Sequence, residues 1–471
     1  MDVYDIAVVG SGAGGACVAG ETARAGARVV LIEQGGSAKV FAGAQQAVST
    51  YYRSGGYVSA VGNAILPIPT GVALGGTTII NSGTCMRTPR PIVEHWTRKS
   101  HGAFDADDFE KCLDLAWTRL KVRRAPERTL SKSSRAVIAG AKHLGLTAEP
   151  LDRCETGCEG LGRCCFVCPT DAKMTSYKAF LDDVASGVNL DLLCHTRLLD
   201  IDYKKSGITL RVSGPQGDGT ITCRRLVLAC GALATPYFVR SFRLAPNWVA
   251  AGNNLSVHPA SKVFAYFDER IEGWKGVPQG AGFDDPRYPD LRFEGVYTPP
   301  ELAALTMPLE GSRLSWWMQR YAHVATFGYM IKDSSRGFIR YPAGPENPFI
   351  YYHFNRADSL LLAQGARRVA EVFFAAGARR VVVPVNRAGN ELGGSDELAR
   401  LDLEGTRVRH YQLMAFHPLG TCAMGRVAGW NLELMPDVFV CDGSVIPESL
   451  GVNPQITIYA LALRLARHLK S

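Results

Sequence analysis

The sequence contains no hydrophobic run of the roughly 18 residues that a membrane-spanning helix needs. It begins MDVYDIAVVG, with acidic residues where a secretory signal peptide would carry basic ones, so we expect a cytoplasmic protein, exported only in association with a partner. The net charge of +8 is not concentrated in a Lys/Arg-rich stretch, which argues against nucleic acid as a partner. Internal repeats and low-complexity segments are also absent, and 471 residues predict at least two domains.

The first forty residues match a strand–helix–strand unit that binds a dinucleotide. Residues 3–9 are typical of a buried strand, an Ala-rich helix follows, and a second strand, RVVLI, ends at Glu33. Gly10 would permit the tight turn, Gly12 the close approach of a pyrophosphate, and Gly15 the close packing of helix on sheet. The carboxylate of Glu33 would accept hydrogen bonds from ribose hydroxyls. This pattern predicts a bound dinucleotide without separating FAD from NAD.

Three further segments make the chain resemble the glucose-methanol-choline (GMC) oxidoreductases, a family of FAD enzymes that oxidise alcohols. They are GVALGGTTIINSGTCMRT at 71–88, LVLACGALATP at 226–236, and residues 410–469 with the elements HPLGTC and NPQIT. NLSVHP at 254–259 also matches, and we interpret its histidine, His258, as structural. The segments SLGVNPQ and MIKDSSRG are most similar to the branch of long-chain alcohol oxidases and related bacterial dehydrogenases. The resemblance implies FAD as the cofactor.

The last sixty residues contain the two candidate catalytic residues. Oxidation of an alcohol by a flavin requires a base for the hydroxyl proton and a hydride path to flavin N5. His417 is the candidate base, because a neutral imidazole titrates in the working pH range. Asn453 would hydrogen-bond the same hydroxyl, although asparagine also favours the capping position of a helix. Pro454 would open a helix of about 16 residues whose N-terminus faces the flavin.

The resemblance also implies five further contacts with the cofactor. Gly76, Thr77 and Asn81 would lie at the isoalloxazine ring, and Asp442 and Gly443 would approach FAD at the end of the strand VFVCD. Some family members attach FAD covalently through a histidine in the first of these loops. The stretch LGGTTIINSGTCM contains no histidine, so we expect FAD to be bound non-covalently.

The segments assigned to FAD are separated along the chain. They lie at 1–90, 185–260 and 410–471, which predicts an α/β protein with a discontinuous Rossmann-type FAD-binding domain. Residues 91–184 would form a connecting region. Residues 261–409 would form an inserted α+β substrate-binding domain, built on an antiparallel sheet that covers the flavin.

Two patterns stand out within that inserted segment. Residues 358–377, ADSLLLAQGARRVAEVFFAA, predict an amphipathic helix on the surface of the domain. Aromatic and apolar residues are frequent in the preceding stretch, namely Trp316, Trp317, Tyr321, Phe327, Tyr329 and Met330. Such residues more often form a core than a pocket. If part of the stretch lines the pocket, the substrate has an apolar or aromatic body.

A cysteine-rich segment, CETGCEGLGRCCFVCP at 154–169, lies in the connecting region. Disulfides fit it poorly, because no export signal is present and the total of 13 cysteines is odd. Structural zinc sites usually have two separated C-x-x-C pairs, whereas this segment has one. A C-x-x-C-P ending is typical of iron–sulfur segments. The candidate ligands are Cys154, Cys158, Cys164, Cys165 and Cys168.

The family resemblance supports the same interpretation, since some bacterial GMC dehydrogenases carry a three-iron cluster near this position and pass electrons to a cytochrome. The cysteine spacing differs here, which leaves open the cluster type (3Fe-4S or 4Fe-4S) and the ligand set. Cysteines that only pack and bind nothing are the main alternative.

Together these patterns predict an FAD-dependent alcohol dehydrogenase. His417 would take the hydroxyl proton, and electrons would leave through the cluster to a protein or quinone acceptor. An oxygen-using oxidase without a cluster and a non-catalytic flavin electron-transfer subunit are the alternatives. The branch resemblance favours a hydrophobic alcohol as substrate.

Overall fold

The computed structural model describes residues 3–187, 189–204, 207–296 and 298–470. The α-helices of these residues are, in chain order, α1 (Ala13–Arg24), α2 (Ala44–Tyr51), α3 (Arg90–Lys99), α4 (Ala106–Arg119), α5 (Lys132–His143), α6 (Ser176–Phe180), α7 (Thr235–Ser241), α8 (Pro300–Thr306), α9 (Gly311–Gln319), α10 (Arg356–Ala375), α11 (Ser395–Arg400) and α12 (Gln455–Lys470). Among them, no helix combines the length and the apolar character needed to cross a bilayer.

The strands of the same residues follow the same order. They are β1 (Tyr4–Val9), β2 (Val29–Ile32), β3 (Ser59–Val61), β4 (Leu66–Pro67), β5 (Val122–Arg124), β6 (Thr147–Pro150), β7 (Asp152–Cys154), β8 (Leu190–Leu193), β9 (Arg197–Lys204), β10 (Gly207–Gly214), β11 (Gly217–Leu228), β12 (Asn253–Leu255), β13 (Pro259–Tyr266), β14 (Ala281–Asp284), β15 (Leu291–Gly295), β16 (Val324–Ile331), β17 (Gly337–Arg340), β18 (Phe349–Tyr351), β19 (Arg380–Val382), β20 (Glu391–Leu392), β21 (Met414–Ala415), β22 (Glu433–Met435) and β23 (Val438–Val440).

The first sheet has the strand order β22-β23-β11-β1-β2-β8, with β9 and β10 continuing antiparallel from β11. The five strands from β23 to β8 are parallel, and Val9 pairs with both Ile32 and Leu228. The carboxyl ends of the three central strands therefore lie at one edge. Helices α1 and α12 pack against each other beside this sheet, where both are largely buried. The strands come from three separate parts of the chain, which confirms the discontinuous Rossmann-type fold.

The turn from β1 into α1 depends on two glycines. Gly10 has φ +100°, and a Cβ there would lie 2.3 Å from the carbonyl oxygen of Ala229. A Cβ at Gly15 would lie 1.9 Å from the carbonyl oxygen of Gly10. Only glycine accepts such a φ without strain and such close approaches of backbone to backbone. The predicted tight turn and close packing of helix on sheet are both present.

The second sheet is antiparallel, with the strand order β20-β19-β13-β16-β15-β14-β6 and with β21 paired to β13. It confirms the predicted α+β character of the inserted segment. One face packs against α5 and α10, since Phe327 and Tyr329 of β16 belong to the same apolar core as Leu362 and Phe373 of α10. Helix α10 is thus more buried than the predicted surface helix. Each fully buried Leu or Phe of this kind contributes roughly 1.5–3 kcal/mol to folding.

The aromatic residues of the inserted segment are mostly core residues. Trp317 and Tyr321 pack with Phe264 in a separate apolar cluster, and the hydroxyl of Tyr329 donates a hydrogen bond to the carbonyl of Leu362 at 2.8 Å. The opposite face of the second sheet carries Glu294, which hydrogen-bonds a residue at the start of α12. That contact joins the second sheet to the segment that precedes α12.

Candidate active site

Three loops meet at the carboxyl ends of the central strands of the first sheet. A Cβ at Gly14 would lie 1.8 Å from the carbonyl oxygen of Cys441, so the start of α1 touches the end of β23. The carboxylate of Asp442 accepts hydrogen bonds from Gly231 N at 2.9 Å and Thr235 Oγ1 at 2.5 Å. These contacts bring the ends of β1, β11 and β23 together, at the edge of a parallel sheet where ligands bind in such folds.

Glu33 lies at the end of β2, as the sequence predicted, and is buried. Its Oε2 accepts hydrogen bonds from Ser11 N at 2.9 Å and Ser11 Oγ at 2.6 Å, and its Oε1 accepts one from Gly35 N at 2.7 Å. Ser11 Oγ in turn accepts a hydrogen bond from Gly75 N at 2.9 Å. Burial raises the pKa of Glu33 above its ordinary value. Glu33 therefore fixes the glycine turn against the loop at 71–88, and its contact with a ribose stays a prediction.

The loop at 71–88 lies directly beside the first glycine turn. Gly76 has φ +54°, and a Cβ there would lie 2.8 Å from Gly12 Cα. Thr77 is exposed, and its Oγ1 accepts a hydrogen bond from Gly71 N at 3.0 Å. The structure thus brings Gly76, which precedes Thr77, against Gly12 from a distant part of the chain.

The residues at this junction fit the diphosphate of FAD. Gly12 is the N-cap residue of α1, and no side chain caps the helix. No heavy atom of the described residues lies within 4 Å of the position that a Cβ of Gly12 would occupy. The free N–H groups and the positive end of the helix dipole are suited to an anionic phosphate. A dinucleotide can approach the backbone here.

A pair of histidine rings lies close to the start of α12. His258 Nδ1 is 3.0 Å from His417 Nδ1, and His258 Nε2 accepts hydrogen bonds from Leu450 N and Gly451 N at 3.0 and 3.1 Å. Because a nitrogen that accepts two N–H groups carries no proton, neutral His258 is protonated at Nδ1. It therefore donates to His417 Nδ1, and neutral His417 has its own proton at Nε2.

Both rings are neutral near pH 7. Burial, together with Arg336 and Lys332, lowers the pKa of His258 to about 3. Burial and the neighbouring His258 hold the pKa of His417 well below its ordinary value. The interpretation of His258 as merely structural is incomplete, because its hydrogen bond sets the tautomer of the candidate catalytic histidine.

Asn453 and Pro454 precede α12. Asn453 is 6% exposed, and its Nδ2 donates to Glu294 Oε1 at 3.4 Å. Its buried Oδ1 finds no hydrogen-bond partner among the described residues, so the side chain does not cap the helix. The carbonyl of Pro454 accepts from Ile458 N at 2.9 Å, which places Pro454 at the first turn. The following helix, α12, has the predicted length of 16 residues.

Gln455 joins the start of α12 to the loop at 71–88. Its Oε1 accepts a hydrogen bond from Asn81 Nδ2 at 2.9 Å, and its Nε2 donates to the carbonyl of Thr84 at 2.6 Å. The side-chain amide of Asn81 therefore hydrogen-bonds Gln455 in this structure. Sequence reasoning missed Gln455, although it lies within the NPQIT element.

Sequence reasoning also missed Glu294, a buried carboxyl group on β15. Besides the contact with Asn453, its Oε1 accepts a hydrogen bond from Gln279 Nε2 at 2.9 Å. Gln279 Oε1 accepts from Thr84 Oγ1 at 2.7 Å, which links Glu294 to the loop at 71–88. Burial raises the pKa of Glu294 to about 7. The sequence signal that could have found Glu294 was a single acidic residue beside apolar residues at the end of the strand LRFEG.

The five cysteines of the segment 154–169 do not converge on one point. Each Sγ has a different neighbour: Gly83 O for Cys154, Gly160 N for Cys158, Arg153 Nη2 for Cys164, Ser82 Oγ for Cys165 and Thr170 Oγ1 for Cys168. Across the described ranges, no group of three or more His, Cys, Asp or Glu side chains is arranged to hold a metal ion. The residues as placed do not fit an iron–sulfur cluster, and we derive no step through one.

A buried lysine connects the cysteine-rich segment to the loop at 71–88. Lys173 Nζ donates hydrogen bonds of 2.8 Å to the carbonyls of Ile79, Asn81 and Cys164. Burial lowers its pKa, and the three carbonyls satisfy all three donors of the ammonium group. The segment therefore packs against the loop that carries Gly76 and Thr77.

The parallel sheet and its glycine turn have the form of a nucleotide-binding fold, and a histidine and an asparagine lie close to the start of α12. Two family models for GMC oxidoreductases match the chain, the N-terminal model at residues 48–260 and the C-terminal model at residues 333–462. They cover more than half of the sequence. The chain belongs to the GMC oxidoreductase family, and FAD is the cofactor that the family implies. The predicted family resemblance is confirmed.

Similar proteins cover the chain almost completely. Uncharacterized GMC-type oxidoreductases from Mycobacterium tuberculosis are 32% identical over 98% of this chain and 75% of their own length. A long-chain-alcohol oxidase from Arabidopsis thaliana is 25% identical, over 99% of this chain and 67% of its own. The crystal structure of pyridoxine 4-oxidase from Mesorbium loti has a TM-score of 0.71 and 17% identity, over 99% of both chains, which shows the shared fold.

Proposed function

We propose that this protein oxidises an alcohol to an aldehyde or ketone with non-covalently bound FAD. The observation that carries the proposal is the placement of His417 and Asn453 close to the start of α12, which Gln455 joins to the loop beside the FAD cradle. A polar site of this kind suits a hydroxyl group, which both donates and accepts a hydrogen bond. The names of the Arabidopsis relatives, long-chain-alcohol oxidases, support an alcohol as substrate.

The cofactor would be held by residues from all three loops. Gly10, Gly12 and Gly15 with the start of α1 would bind the diphosphate, and Glu33 would face the ribose. Gly76, Thr77, Asn81, Asp442, Gly443 and Pro454 would lie along the remainder of FAD. When bound, the flavin supplies an acceptor for the hydride of the hydroxyl-bearing carbon.

A non-covalent attachment is supported by the loop at 71–88. It contains no histidine, and its Cys85 is 2% exposed. The Cys85 thiol lies 3.6 Å from the carbonyl of Gly83 and 3.5 Å from Gln455 Nε2. Burial raises the pKa of Cys85 well above its ordinary value, which disfavours the thiolate that a covalent link would require.

His417 and Asn453 would hold the substrate hydroxyl. The sequence predicted His417 as the base. With its proton at Nε2, the neutral ring can donate a hydrogen bond to the hydroxyl oxygen but has no free lone pair to take the hydroxyl proton. We therefore propose that His417 stabilises negative charge that develops on this oxygen, and that Asn453 orients the hydroxyl so that its carbon faces the flavin.

The substrate is proposed to be a hydrophobic alcohol. Support comes from the names of the Arabidopsis relatives and from the segment SLGVNPQ, which resembles the long-chain alcohol oxidase branch. The aromatic residues of the inserted segment add little support, since Trp317, Tyr321, Phe327 and Tyr329 are core residues.

Oxygen is the proposed electron acceptor. The predicted relay through an iron–sulfur cluster to a cytochrome or quinone requires several thiolates around one point, and the described cysteines have separate neighbours. The relatives named oxidases favour the same acceptor.

We expect one hydrogen peroxide to form for each carbonyl product when the protein turns over an alcohol in air. Protein purified anaerobically should contain one FAD per chain and well under one iron. Replacing Cys165 with serine should leave peroxide formation within about twofold of wild type, because its thiol hydrogen-bonds Ser82 Oγ, which is not among the groups proposed to bind FAD or the substrate.

Iron and acid-labile sulfide in stoichiometric amounts, removed by Cys165→Ser and accompanied by slow reaction with oxygen, would instead establish the cluster relay. Cys112→Ser is the matched control, because this buried cysteine lies on α4, outside the cysteine-rich segment.

A further inference from the structure

Two buried oxygen atoms in the candidate active site lack hydrogen-bond donors. They are Glu294 Oε2 and Asn453 Oδ1, and neither has a partner among the described residues. Their side chains contact each other through the other two polar atoms, Asn453 Nδ2 and Glu294 Oε1. Since leaving a buried acceptor unpaired is unfavourable, these two atoms on contacting side chains indicate a ligand that donates a hydrogen bond.

An alcohol hydroxyl is such a donor, and its proton must be removed during oxidation. His417 cannot take this proton in its neutral state, because Nδ1 accepts from His258 and Nε2 carries the ring proton. Burial and the neighbouring His258 also lower the pKa of His417, so adding a second proton to this ring is unfavourable. The site therefore needs another acceptor.

We propose that Glu294 is a catalytic residue that accepts the substrate hydroxyl proton at Oε2. The O–H bond of the alcohol would break, a new O–H bond would form on the carboxylate, and the electron pair left on oxygen would form the carbonyl while the hydride from carbon passes to the bound FAD, which is reduced. This role rests on the proposed alcohol oxidation. His417 supplies the hydrogen bond to the same oxygen, so one group donates while the other accepts.

The hydrogen bonds around Glu294 suit this role. Gln279 Nε2 and Asn453 Nδ2 both donate to Oε1, which fixes the carboxyl group and leaves Oε2 for the substrate. Burial raises the pKa of Glu294 to about 7, where a carboxylate is a much stronger base than in water and still ionises near neutral pH.

Lys262 lies on the same face of the second sheet as Glu294. Gly328 pairs with Glu294 on one side and with Lys262 on the other, so the three residues form a row across the sheet. Burial lowers the pKa of Lys262 to about 8. Lys262 therefore titrates in nearly the same pH range as Glu294, and a variant that lacks this lysine is needed as a control.

Other charged or titratable side chains surround Glu294. Arg292 is the charged neighbour that lowers its pKa, and Asp284 pairs with Arg292. Further groups of this kind on adjoining described elements are Glu149, Arg153, Lys332, His258 and His417. The two histidines are neutral near pH 7, because burial lowers both pKa values.

We expect anaerobic flavin reduction by an alcohol to accelerate as pH rises through about 7, because Glu294 must be ionised to accept the proton. Glu294→Gln keeps the size of the side chain and cannot take a proton. It should lower this rate on the order of 10²–10⁴-fold and abolish the rise near pH 7. Lys262→Met should keep that rise and alter the profile only above it.

A second readout does not depend on turnover. The infrared difference spectrum of the protein, recorded about one pH unit on either side of 7, should show a buried carboxyl band that disappears in Glu294→Gln. FAD content and melting temperature report whether the variant is folded. If Glu294 only supported Asn453, Glu294→Gln would lower the rate but keep the pH step, and the proposed role would be wrong.

The two proposals fail in different ways. Wild-type protein that reduces its flavin with alcohol, together with a Glu294→Gln variant of equal rate and pH profile, would overturn the role of Glu294 and leave alcohol oxidation intact. Wild-type protein that reacts with no alcohol, and also lacks the carboxyl band, would overturn both.

Discussion

Replacing His417 with alanine should slow flavin reduction by alcohol on the order of 10²–10⁴-fold while FAD stays bound. The ring lies beside His258 and the start of α12, and its Nε2–H is proposed to stabilise the developing alkoxide. It contributes no atom to the contacts among the cradle residues Gly12, Gly76 and Asp442. Anaerobic stopped-flow absorbance measures the rate, and acid precipitation followed by analysis of the supernatant measures FAD.

The variant His417→Gln distinguishes a hydrogen-bond donor from a general base at this position. A glutamine amide can donate a hydrogen bond but cannot accept a proton near pH 7. The donor role therefore predicts that His417→Gln is at least about tenfold faster than His417→Ala. The rate of flavin reduction could instead fall equally in both variants, and the wild-type rate could rise with pH as an imidazole loses its proton. Those two results together would show that His417 is the base.

Replacing Gly12 with valine should give a folded protein that binds FAD more weakly. Gly12 has φ −66°, which a side chain tolerates, and among the described residues no heavy atom beyond its chain neighbours lies within 4 Å of its Cβ position. The side chain would instead occupy the space proposed for the diphosphate. Overpacking costs about 1–3 kcal/mol, which corresponds to a roughly 5–150-fold loss of FAD affinity.

Gly394→Val is the matched control. Gly394 precedes helix α11 with extended backbone, φ −175°, and its Cβ position is equally free of described heavy atoms within 4 Å, its chain neighbours aside. Both variants should unfold at the temperature of the wild-type apoprotein, whereas only Gly12→Val should bind FAD more weakly than wild type. A Gly12→Val protein that binds FAD as wild type does would place the diphosphate elsewhere.

The parts of the fold that local sequence determines could be predicted. β1, α1 and β2 follow from a buried apolar strand, a glycine turn and an Ala-rich helix, and α12 follows from Pro454 and a long apolar-periodic segment. The antiparallel second sheet was predicted only as a class, because its strand order depends on pairings between distant segments.

The hydrogen bonds that set the chemistry could not be predicted. His258 and His417 are 159 residues apart, and so are Glu294 and Asn453. Only the folded arrangement reveals which nitrogen of His417 accepts a hydrogen bond and which acceptors remain unpaired. The cysteine pattern suggested a cluster because it records ligand types and spacing, but not the directions of the side chains.

Anaerobic mixing of the purified flavoprotein with a series of primary alcohols of increasing chain length tests the central proposal most directly. Alcohol oxidation predicts that the visible flavin absorbance is lost in a single turnover and that one aldehyde forms for each flavin. A flavin that stays oxidised with every alcohol, yet is reduced by a protein electron donor, would contradict the proposal and identify an electron-transfer subunit.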